Sequence, residues 1–298
     1  MAKRIGKFVI YFLLICIGYV YLEPIFQMIS KSLMSATDVI NPSVEWLPQN
    51  PTFANFGVAA RVLKMPGSLI NSILFSAGLA ILQTMVAAMT GYALSRFKFR
   101  FRNIWFVMIL LAFIIPTALL MIPRLIMFIS VQSTTGLQLI GTPIPQVLMA
   151  ISGQGVNSTI LILIFWNFFN LIPYSLDEAA MIDGAGPFQV FFHIAVKLSL
   201  TTVLIVFLFS FVWNWNETYQ TSTFLGSAID LLPSKLAVFD SQFDSNASSG
   251  LGSNGVYKLN EAYKMAATLI SIVPLLLLYL CVQKQFIQGI ENTGITGE

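Results

Sequence analysis

Long apolar stretches alternate with short polar ones along the whole chain. A helix needs about 20 apolar residues to cross a bilayer. The third apolar stretch, residues 104–128, contains Pro116 and Pro123, and these prolines are expected to bend its helix. Arg124 is expected near the outer end of this stretch, because an arginine in the middle of the bilayer costs free energy. The pattern predicts an all-α membrane protein with a single transmembrane domain over residues 1–298. Six spans are predicted, at residues 8–29, 68–94, 104–128, 157–172, 198–215 and 262–282.

The polar connections between these spans differ in length and composition. Residues 30–66 are predicted to form the first outside loop. Residues 132–155 contain an apolar stretch, Ile144–Ile151, that is too short to span as a helix, so an outside or re-entrant segment is expected there. Residues 216–260 are predicted to form a long polar outside loop, and the Ser, Asn and Gly residues of Ser245–Gly255 are typical of a flexible loop.

Composition narrows the class of protein. The 298 residues are 56% hydrophobic and 10% charged, whereas soluble domains have about 25% charged residues. The net charge of +3 gives no indication of nucleic-acid binding. Cys16 and Cys281 both lie in apolar stretches, and His193 is the single histidine of the sequence, so neither a disulfide nor a metal site is expected.

Basic residues indicate which ends of the spans face the cytoplasm. Three of them precede the first span, and four positive charges lie in the short loop Arg96–Arg102. Cytoplasmic loops of membrane proteins carry an excess of Lys and Arg. With six spans, this rule places both termini and residues 173–196 on the cytoplasmic side and residues 216–260 outside.

Residues 173–196 form the most distinctive polar segment. Ser175-x-x-Glu178 has the spacing of a capping box, so a helix is expected to begin just after Ser175. The glycines of Gly184-Ala-Gly186-Pro187 can end that helix in a tight turn, and the proline can begin a second helix. These residues alone allow two equally good interpretations. The segment is either a rigid helical projection that a partner protein contacts and moves, or an ordinary loop with well-capped helices.

Polar residues within the spans bear on the class of membrane protein. An ion-coupled transporter needs ionisable side chains in mid-span, and spans two to six have essentially none away from their ends. The spans contain no Ser/His pair and no His, Asp and Glu cluster that would indicate an intramembrane enzyme, and the sequence lacks a Gly-x-x-x-x-Gly-Lys-Ser/Thr phosphate loop. Interhelical hydrogen bonds are favoured over sugar contacts for the neutral polar residues Gln83, Thr84, Asn167, Asn170, Asn214 and Asn216.

The polar segment also resembles a known motif. Glu178-Ala179-Ala180, followed by Gly184 and Ile194, resembles the EAA motif of the membrane subunits of binding-protein-dependent ABC importers, and Asp183-Gly184 is the form usual in the carbohydrate importers. Lys197 stands where the motif has a proline, which leaves the entry into the fifth span less constrained. Further matches follow in chain order: Trp46-Leu-Pro48, Asn71-Ser72, Ala93-Leu-Ser-Arg96-Phe97, Trp215-Asn216-Glu217 and Gln285-x-Phe-Ile-x-Gly289-Ile290.

The resemblance implies a permease subunit of the maltose-permease-like family, with the type I ABC importer fold and cytoplasmic coupling helices between spans four and five. Such a subunit would form half of the path for a sugar or oligosaccharide, with a non-sugar solute as the alternative. It would lie in the cytoplasmic membrane of a prokaryote. Its partners would be a second homologous permease subunit, two ATP-binding subunits that hold ATP and Mg, and an extracytoplasmic solute-binding protein.

The resemblance also implies roles for individual residues. The chain itself is expected to be no enzyme and to bind no cofactor, and residues 216–260 are the candidate for contacting the binding protein. Which solute is carried does not follow from the sequence. The candidates for the translocation path are Asn167, Asn214 and Asn216. The candidates for coupling to the ATPase are Ser175, Asp177, Glu178, Ala179, Ala180, Asp183, Gly184, Gly186 and His193.

Overall fold

The computed structural model describes residues 2–246 and 261–294, which form helices and their connections with no strand among them. The helices are α1 (Ala2–Ser32), α2 (Ala36–Ile40), α3 (Ala54–Val62), α4 (Gly67–Arg96), α5 (Arg102–Ile114), α6 (Thr117–Thr135), α7 (Ile144–Ile151), α8 (Ser158–Leu171), α9 (Ser175–Ile182), α10 (Pro187–Val190), α11 (Val196–Leu198), α12 (Leu200–Asn216), α13 (Tyr219–Phe224), α14 (Leu232–Ala237), α15 (Phe239–Asn246) and α16 (Glu261–Gly294).

Four of the described helices, α1, α4, α6 and α16, are long and apolar enough to cross a membrane. Two further spans arise only if helices that are bent against each other are paired: α8 with α9 at 76°, and Pro187–Leu198 with α12 at 81°. Alone, α8 has 14 residues and α12 has 17, fewer than the about 20 that a span needs. The chain is therefore an all-α multi-pass membrane protein with four to six candidate spans in its described residues.

The predicted third span, residues 104–128, is two helices rather than one bent helix. Between α5 and α6, Ile115 is extended with φ −72° and ψ 120°, and Pro116 follows it. A residue before proline avoids the helical conformation, and proline has no N–H for the helix ladder, so the break follows from Pro116. Pro123 lies inside α6. Arg124, which was expected near the end of its span, consequently lies in the interior of α6.

The predicted outside connections contain more helix than their polarity indicates. Residues 30–66 hold α2 and α3, the apolar stretch of residues 132–155 is the two-turn helix α7, and residues 216–260 hold α13 to α15. Of Ser245–Gly255, the first two residues belong to α15, whereas residues 247–260 lie outside the described residues. Residues 216–246 differ from a polar loop because large apolar side chains within them are buried: Phe224, Leu225, Leu231, Leu232, Phe239 and Phe243.

The residues cluster into two compact units, the first of which combines residues 1–68 with 235–277. In this unit the buried Asn55 donates from its amide to the carbonyl oxygens of Ser32 and Met34, at 2.8 Å each. The last carbonyls of a helix have no partner within it. Asn55 therefore satisfies carbonyls at and just beyond the end of α1.

The second unit combines residues 69–234 with 278–298, and its core contains side chains of α4, α8 and α12. Gly91 of α4 lies against α8, since a Cβ at this position would be 2.7 Å from Phe165 Cβ and 2.8 Å from the Trp166 nitrogen. Small residues allow such close approach of helices in membranes. The core side chains include Tyr92, Leu161, Phe165, Phe169 and Val206.

Candidate functional site

Residues 173–196, called the EAA segment below, contain two helices joined by a glycine turn. Gly184 follows α9 with φ +89°, in the left-handed region that favours glycine. The Gly186 N–H donates to Gln189 Oε1 at 2.8 Å, and Pro187 is the first residue of α10. The helix–turn–helix predicted from the glycines and the proline is therefore confirmed.

The start of α9 differs from the prediction. Its first residue is Ser175, and no side chain caps the helix. The Glu178 N–H donates instead to the carbonyl oxygen of Tyr174, at 3.1 Å. The predicted capping box is wrong because the helix starts one residue early, which puts Ser175 at the first helical position rather than at the cap. Glu178 and Asp177 still lie in the first turn, where the helix dipole favours negative charge.

Asp177 is the buried residue of α9, and it pairs with the end of α4. Its Oδ2 lies 3.0 Å from Arg96 Nε, and the two side chains are 3% and 8% exposed. The Nε–H is not aligned as a hydrogen bond, so the contact is an ion pair. Arg96 Nη2 also donates to the Ile172 carbonyl oxygen at 2.9 Å, and its guanidinium lies 5.8 Å from the centre of the Tyr174 ring. One arginine thus holds both the end of α8 and the start of α9.

Tyr92 lies one turn before Arg96 on α4 and completes this contact. Its hydroxyl donates to Asp177 Oδ2 at a long 3.4 Å, and its ring packs against Phe169 and Phe191 with centroid distances of 5.4 and 5.1 Å. Apolar rings keep water away from the ion pair, and a low local dielectric strengthens it. Tyr92, Arg96 and Asp177 are called the anchor cluster below.

The rest of α9 presents an exposed face. Glu178 and Ala179 are exposed, Ile182 is 86% exposed, and Phe188 at the start of α10 is 71% exposed. Neighbouring exposed apolar side chains of this size are typical of surfaces that contact another protein or a membrane. The anchored side of α9 therefore carries the buried Asp177, whereas the exposed side carries Glu178 together with apolar side chains.

The remaining predicted coupling residues lie on the surface of the same segment. Asp183 and Gly184 are exposed, and Ala180 and Gly186 are partly buried. His193 is exposed, and its Nδ1 lies 3.1 Å from a carbonyl oxygen one turn earlier. Asp177 differs from the other predicted coupling residues, because its side chain is buried against the end of α4.

The EAA segment joins α12 through a sharp bend. Phe191–Ala195 form a π-helical turn, α11 follows, and Ser199 separates it from α12. Ser199 is fully buried, and its N–H donates to two carbonyl oxygens of the preceding turn, at 3.0 and 3.2 Å. The bend therefore forms without the proline of the motif, and Lys197 in its place is exposed.

The three candidates for the translocation path do not form one site. Asn214 is buried, and its Nδ2 donates to Gln83 Oε1 at 3.2 Å and to the Ser210 carbonyl oxygen at 2.7 Å. The Ser210 hydroxyl donates to the same Gln83 oxygen. Asn216 donates to a carbonyl of its own helix, and Asn167 is exposed. In the described part of the chain, neither of these two residues bonds to Gln83, Ser210 or Asn214. Gln83, Ser210 and Asn214, called the neutral cluster below, join α4 to α12. The interhelical hydrogen bonds favoured from the sequence are therefore confirmed for Gln83 and Asn214. They are wrong for Asn216, which bonds within its own helix, and for Thr84, whose buried hydroxyl has no partner in the described residues.

Sequence reasoning missed the anchor cluster. From the sequence, Arg96 was placed in the basic loop and Asp177 among the candidates for coupling to the ATPase, with no pairing expected between the two. An arginine directly at the end of a span is a weak signal of such pairing, because its partner depends on the fold. Within the described residues, no group of three or more His, Cys, Asp or Glu is placed to hold a metal ion.

The fold and the sequence both have known relatives. The model of the family described as "Binding-protein-dependent transport system inner membrane component" matches residues 80–292. The structure is similar to a chain from the crystal structure of a bacterial ABC transporter involved in the import of the acidic polysaccharide alginate. The TM-score is 0.74 at 22% identity, with 95% of this chain and 97% of that chain covered.

Curated relatives are similar over most of their length. The sn-glycerol-3-phosphate transport system permease protein UgpE of Pectobacterium atrosepticum is 29% identical, with 76% of this chain and 72% of the relative covered. The diacetylchitobiose uptake system permease protein NgcG of Streptomyces coelicolor is 25% identical, with 95% and 86% covered. The probable starch degradation products transport system permease protein AmyC of Thermoanaerobacterium thermosulfurigenes is 23% identical, with 96% of each chain covered.

Proposed function

Since the chain belongs to the family of inner membrane components of binding-protein-dependent transport systems, we propose that it forms half of the translocation path of an ATP-driven importer and that its EAA segment receives the motion of the ATP-hydrolysing subunits. One observation carries the coupling role. The anchor cluster fixes one side of α9 to the ends of α4 and α8, while Glu178, Ala179 and Ile182 remain open to a partner.

The anchor cluster makes α9 a rigid lever. If α9 were connected to the spans only by flexible segments, a displacement of its exposed face would not be transmitted to them. Arg96 instead pairs with Asp177 and bonds the carbonyl of Ile172, so a displacement of α9 passes directly to α4 and α8. The second short helix leads into α12 across the 81° bend. Closure of the ATPase subunits would therefore move α4, α8 and α12 together. Such a joint movement of helices is one way to produce alternating access.

The proposal includes the partners that the family resemblance implies. A second homologous permease subunit would supply the other half of the path, and two ATP-binding subunits would hold ATP and Mg, with no cofactor bound by this chain. An extracytoplasmic solute-binding protein would deliver the solute, with residues 216–260 as its contact. The basic residues of Arg96–Arg102 support a cytoplasmic position for the EAA segment and both termini in a cell membrane.

The solute is proposed to be a sugar or oligosaccharide. The names of relatives support this: diacetylchitobiose for the Streptomyces protein, starch degradation products for the Thermoanaerobacterium protein and alginate for the structural relative. A non-sugar solute is the second candidate, because the Pectobacterium relative is named for sn-glycerol 3-phosphate.

Charge reversal at Glu178 tests the coupling role. The Glu178 side chain is exposed and makes no hydrogen bond or ion pair in the described part of the chain, so Glu178→Arg is expected to leave folding intact. If the ATPase docks here, the variant loses co-purifying ATPase and uptake falls about tenfold or more, as for loss of a charged contact. Pull-down from solubilised membranes and uptake by cells measure the two effects.

Glu45→Arg is the matched control, since Glu45 is also exposed and lies far from α9 in the sequence. It is expected to retain both the bound ATPase and uptake. Normal ATPase binding and uptake in Glu178→Arg would refute the docking role.

A further inference from the structure

Arg124 lies in the interior of a candidate span. It is the eighth residue of α6, which has 19 residues, so it is about 10 Å from one end of the helix and about 16 Å from the other. Basic side chains near helix ends can extend to the membrane surface. From the middle of α6 the membrane surface is far for an arginine side chain to reach. Charged residues in the middle of a span face the protein interior or a water-filled path, and they mark the pathways of substrates or ions.

The guanidinium of Arg124 is poorly satisfied by its own chain. Its one hydrogen bond within the described residues runs from Nη2 to Gln154 Oε1, at a long 3.4 Å, and no carboxylate of those residues pairs with it. A guanidinium has five N–H donors in a planar fork that matches a carboxylate or a phosphate. Four donors are therefore available to an anion that this part of the chain does not supply.

An open cavity lies beside this side chain, with a volume of about 470 Å³. The Gln154 amide and the Ser152 hydroxyl lie on its rim, and Ser152 Oγ donates to Met149 at 3.1 Å, which leaves its oxygen free to accept. The wall is apolar, with Phe128 and Leu148 among its side chains. Small-molecule sites combine such apolar walls with a few converging polar groups.

We infer that Arg124, Gln154 and Ser152 form a binding site for the oxyanion of the transported solute, a carboxylate or phosphate carried on a polyhydroxy frame such as a uronate or a polyol phosphate. The guanidinium binds the oxyanion in bidentate fashion, the amide and the hydroxyl bond neighbouring hydroxyl groups, and the apolar wall receives a ring face. This inference rests on the proposed importer function and narrows its solute to an acidic one, which is either an acidic sugar or, within the second candidate class, a polyol phosphate.

The shape of the site favours a solute over a permanent partner. Ser152 and Gln154 are exposed, so a ligand can enter the cavity from the surface of the chain. The hydroxyl and amide groups add recognition of a polyol, which a carboxylate of a neighbouring protein would leave unused. An anionic lipid headgroup offers the same phosphate chemistry, and the experiment has to separate it from a solute.

Arginine-specific labelling tests the site without transport. The tagged full-length chain is extracted from its own membranes with its bound subunits and treated with phenylglyoxal, and labelled peptides are quantified by mass spectrometry. The probes are galacturonate, glycerol 3-phosphate, neutral galactose and phosphatidylglycerol. At ten times Kd, galacturonate or glycerol 3-phosphate is expected to slow labelling of Arg124 about tenfold by mass action. Galactose has no effect, and the exposed Arg61 is labelled equally throughout.

Binding of radiolabelled galacturonate or glycerol 3-phosphate provides the second measurement. Arg124→Gln is expected to lose at least about tenfold in affinity, as for removal of a charged hydrogen bond, and Arg124→Lys to recover part of it, since lysine keeps the charge without the fork. Arg61→Gln is the matched control and retains full affinity.

Three outcomes would overturn the inference. Protection by phosphatidylglycerol but by neither soluble anion would identify a lipid site. Labelling of Arg124 that appears only after the bound subunits are stripped off would identify a protein contact. Equal protection of Arg124 by neutral galactose would show that binding does not depend on the charge of the solute. None of these touches the coupling role, since that is measured by ATPase binding in Glu178→Arg.

Discussion

The anchor cluster and the neutral cluster both attach α4 to other helices of the second unit, but with different chemistry. Towards the middle of α4, Gln83 meets Ser210 and Asn214 through neutral hydrogen bonds. At its last residue, Arg96 meets Asp177 through an ion pair. A charge at the centre of a bilayer costs several kcal/mol, whereas amides and hydroxyls cost much less. The charged contact thus lies where α4 ends, and the neutral one lies within the span.

This difference predicts different responses to a lost partner. A neutral donor or acceptor in a membrane helix finds substitutes, so single deletions cost little. A buried ion that loses its counter-ion has no equivalent substitute, so the cost is large. The anchor cluster should therefore dominate the rigidity of the EAA segment, while the neutral cluster adjusts helix packing.

The largest expected effect comes from Asp177→Ala. It leaves Arg96 buried without its counter-ion, with the Ile172 carbonyl as its remaining close partner. Breaking a buried pair costs about 3–5 kcal/mol. The variant is expected to unfold at markedly lower temperature in detergent and to lose uptake, as followed by thermal unfolding and transport.

The double variant Arg96→Met/Asp177→Leu tests whether the lost stability comes from leaving one buried charge unpaired. Replacing a whole buried pair by apolar residues is often neutral, so its thermal stability should return close to that of the wild type. If Asp177→Ala itself unfolds like the wild type, the ion pair does not hold α9, and the contrast between the two clusters fails.

Gly91→Ala has the next largest expected effect and acts between the two clusters. The new methyl would lie 2.7 Å from Phe165 Cβ and 2.8 Å from the Trp166 nitrogen, so α4 and α8 must separate. Overpacking of this kind costs about 1–3 kcal/mol. Gly78→Ala on the same helix is the matched control, because nothing lies within 4 Å of its Cβ position. Equal unfolding temperatures in the two variants would contradict the close approach at Gly91.

Local chemistry explains which parts of the EAA segment were predictable. Gly184 and Pro187 each fix backbone geometry within a few residues, so the turn and the second helix followed from sequence. The capping box failed because a shift of one residue moved Ser175 from the cap into the helix. The pairing of Arg96 with Asp177 was beyond local reasoning, since it depends on how α4 packs against α8 and α9.

The same distinction explains the long spans and the polar connections. Apolar length alone predicts α4 to within two residues at each end. A polar average conceals the separated apolar residues Phe224, Leu232 and Phe239, which are buried in the helical part of residues 216–260. Their burial is decided by tertiary packing, which composition does not report.

Gln83→Met gives the smallest expected effect and is the direct counterpart of Asp177→Ala. It removes the acceptor for both Ser210 and Asn214, but the Asn214 amide keeps its 2.7 Å bond to the Ser210 carbonyl. Hydrogen bonds between membrane helices contribute about 0.6 kcal/mol on average, so the unfolding temperature should fall only slightly. Gln138→Met, at an exposed position, is the control and should leave it unchanged. A loss as large as that of Asp177→Ala would mean that the neutral cluster contributes as much to stability as the ion pair, and the contrast between the two clusters would fail.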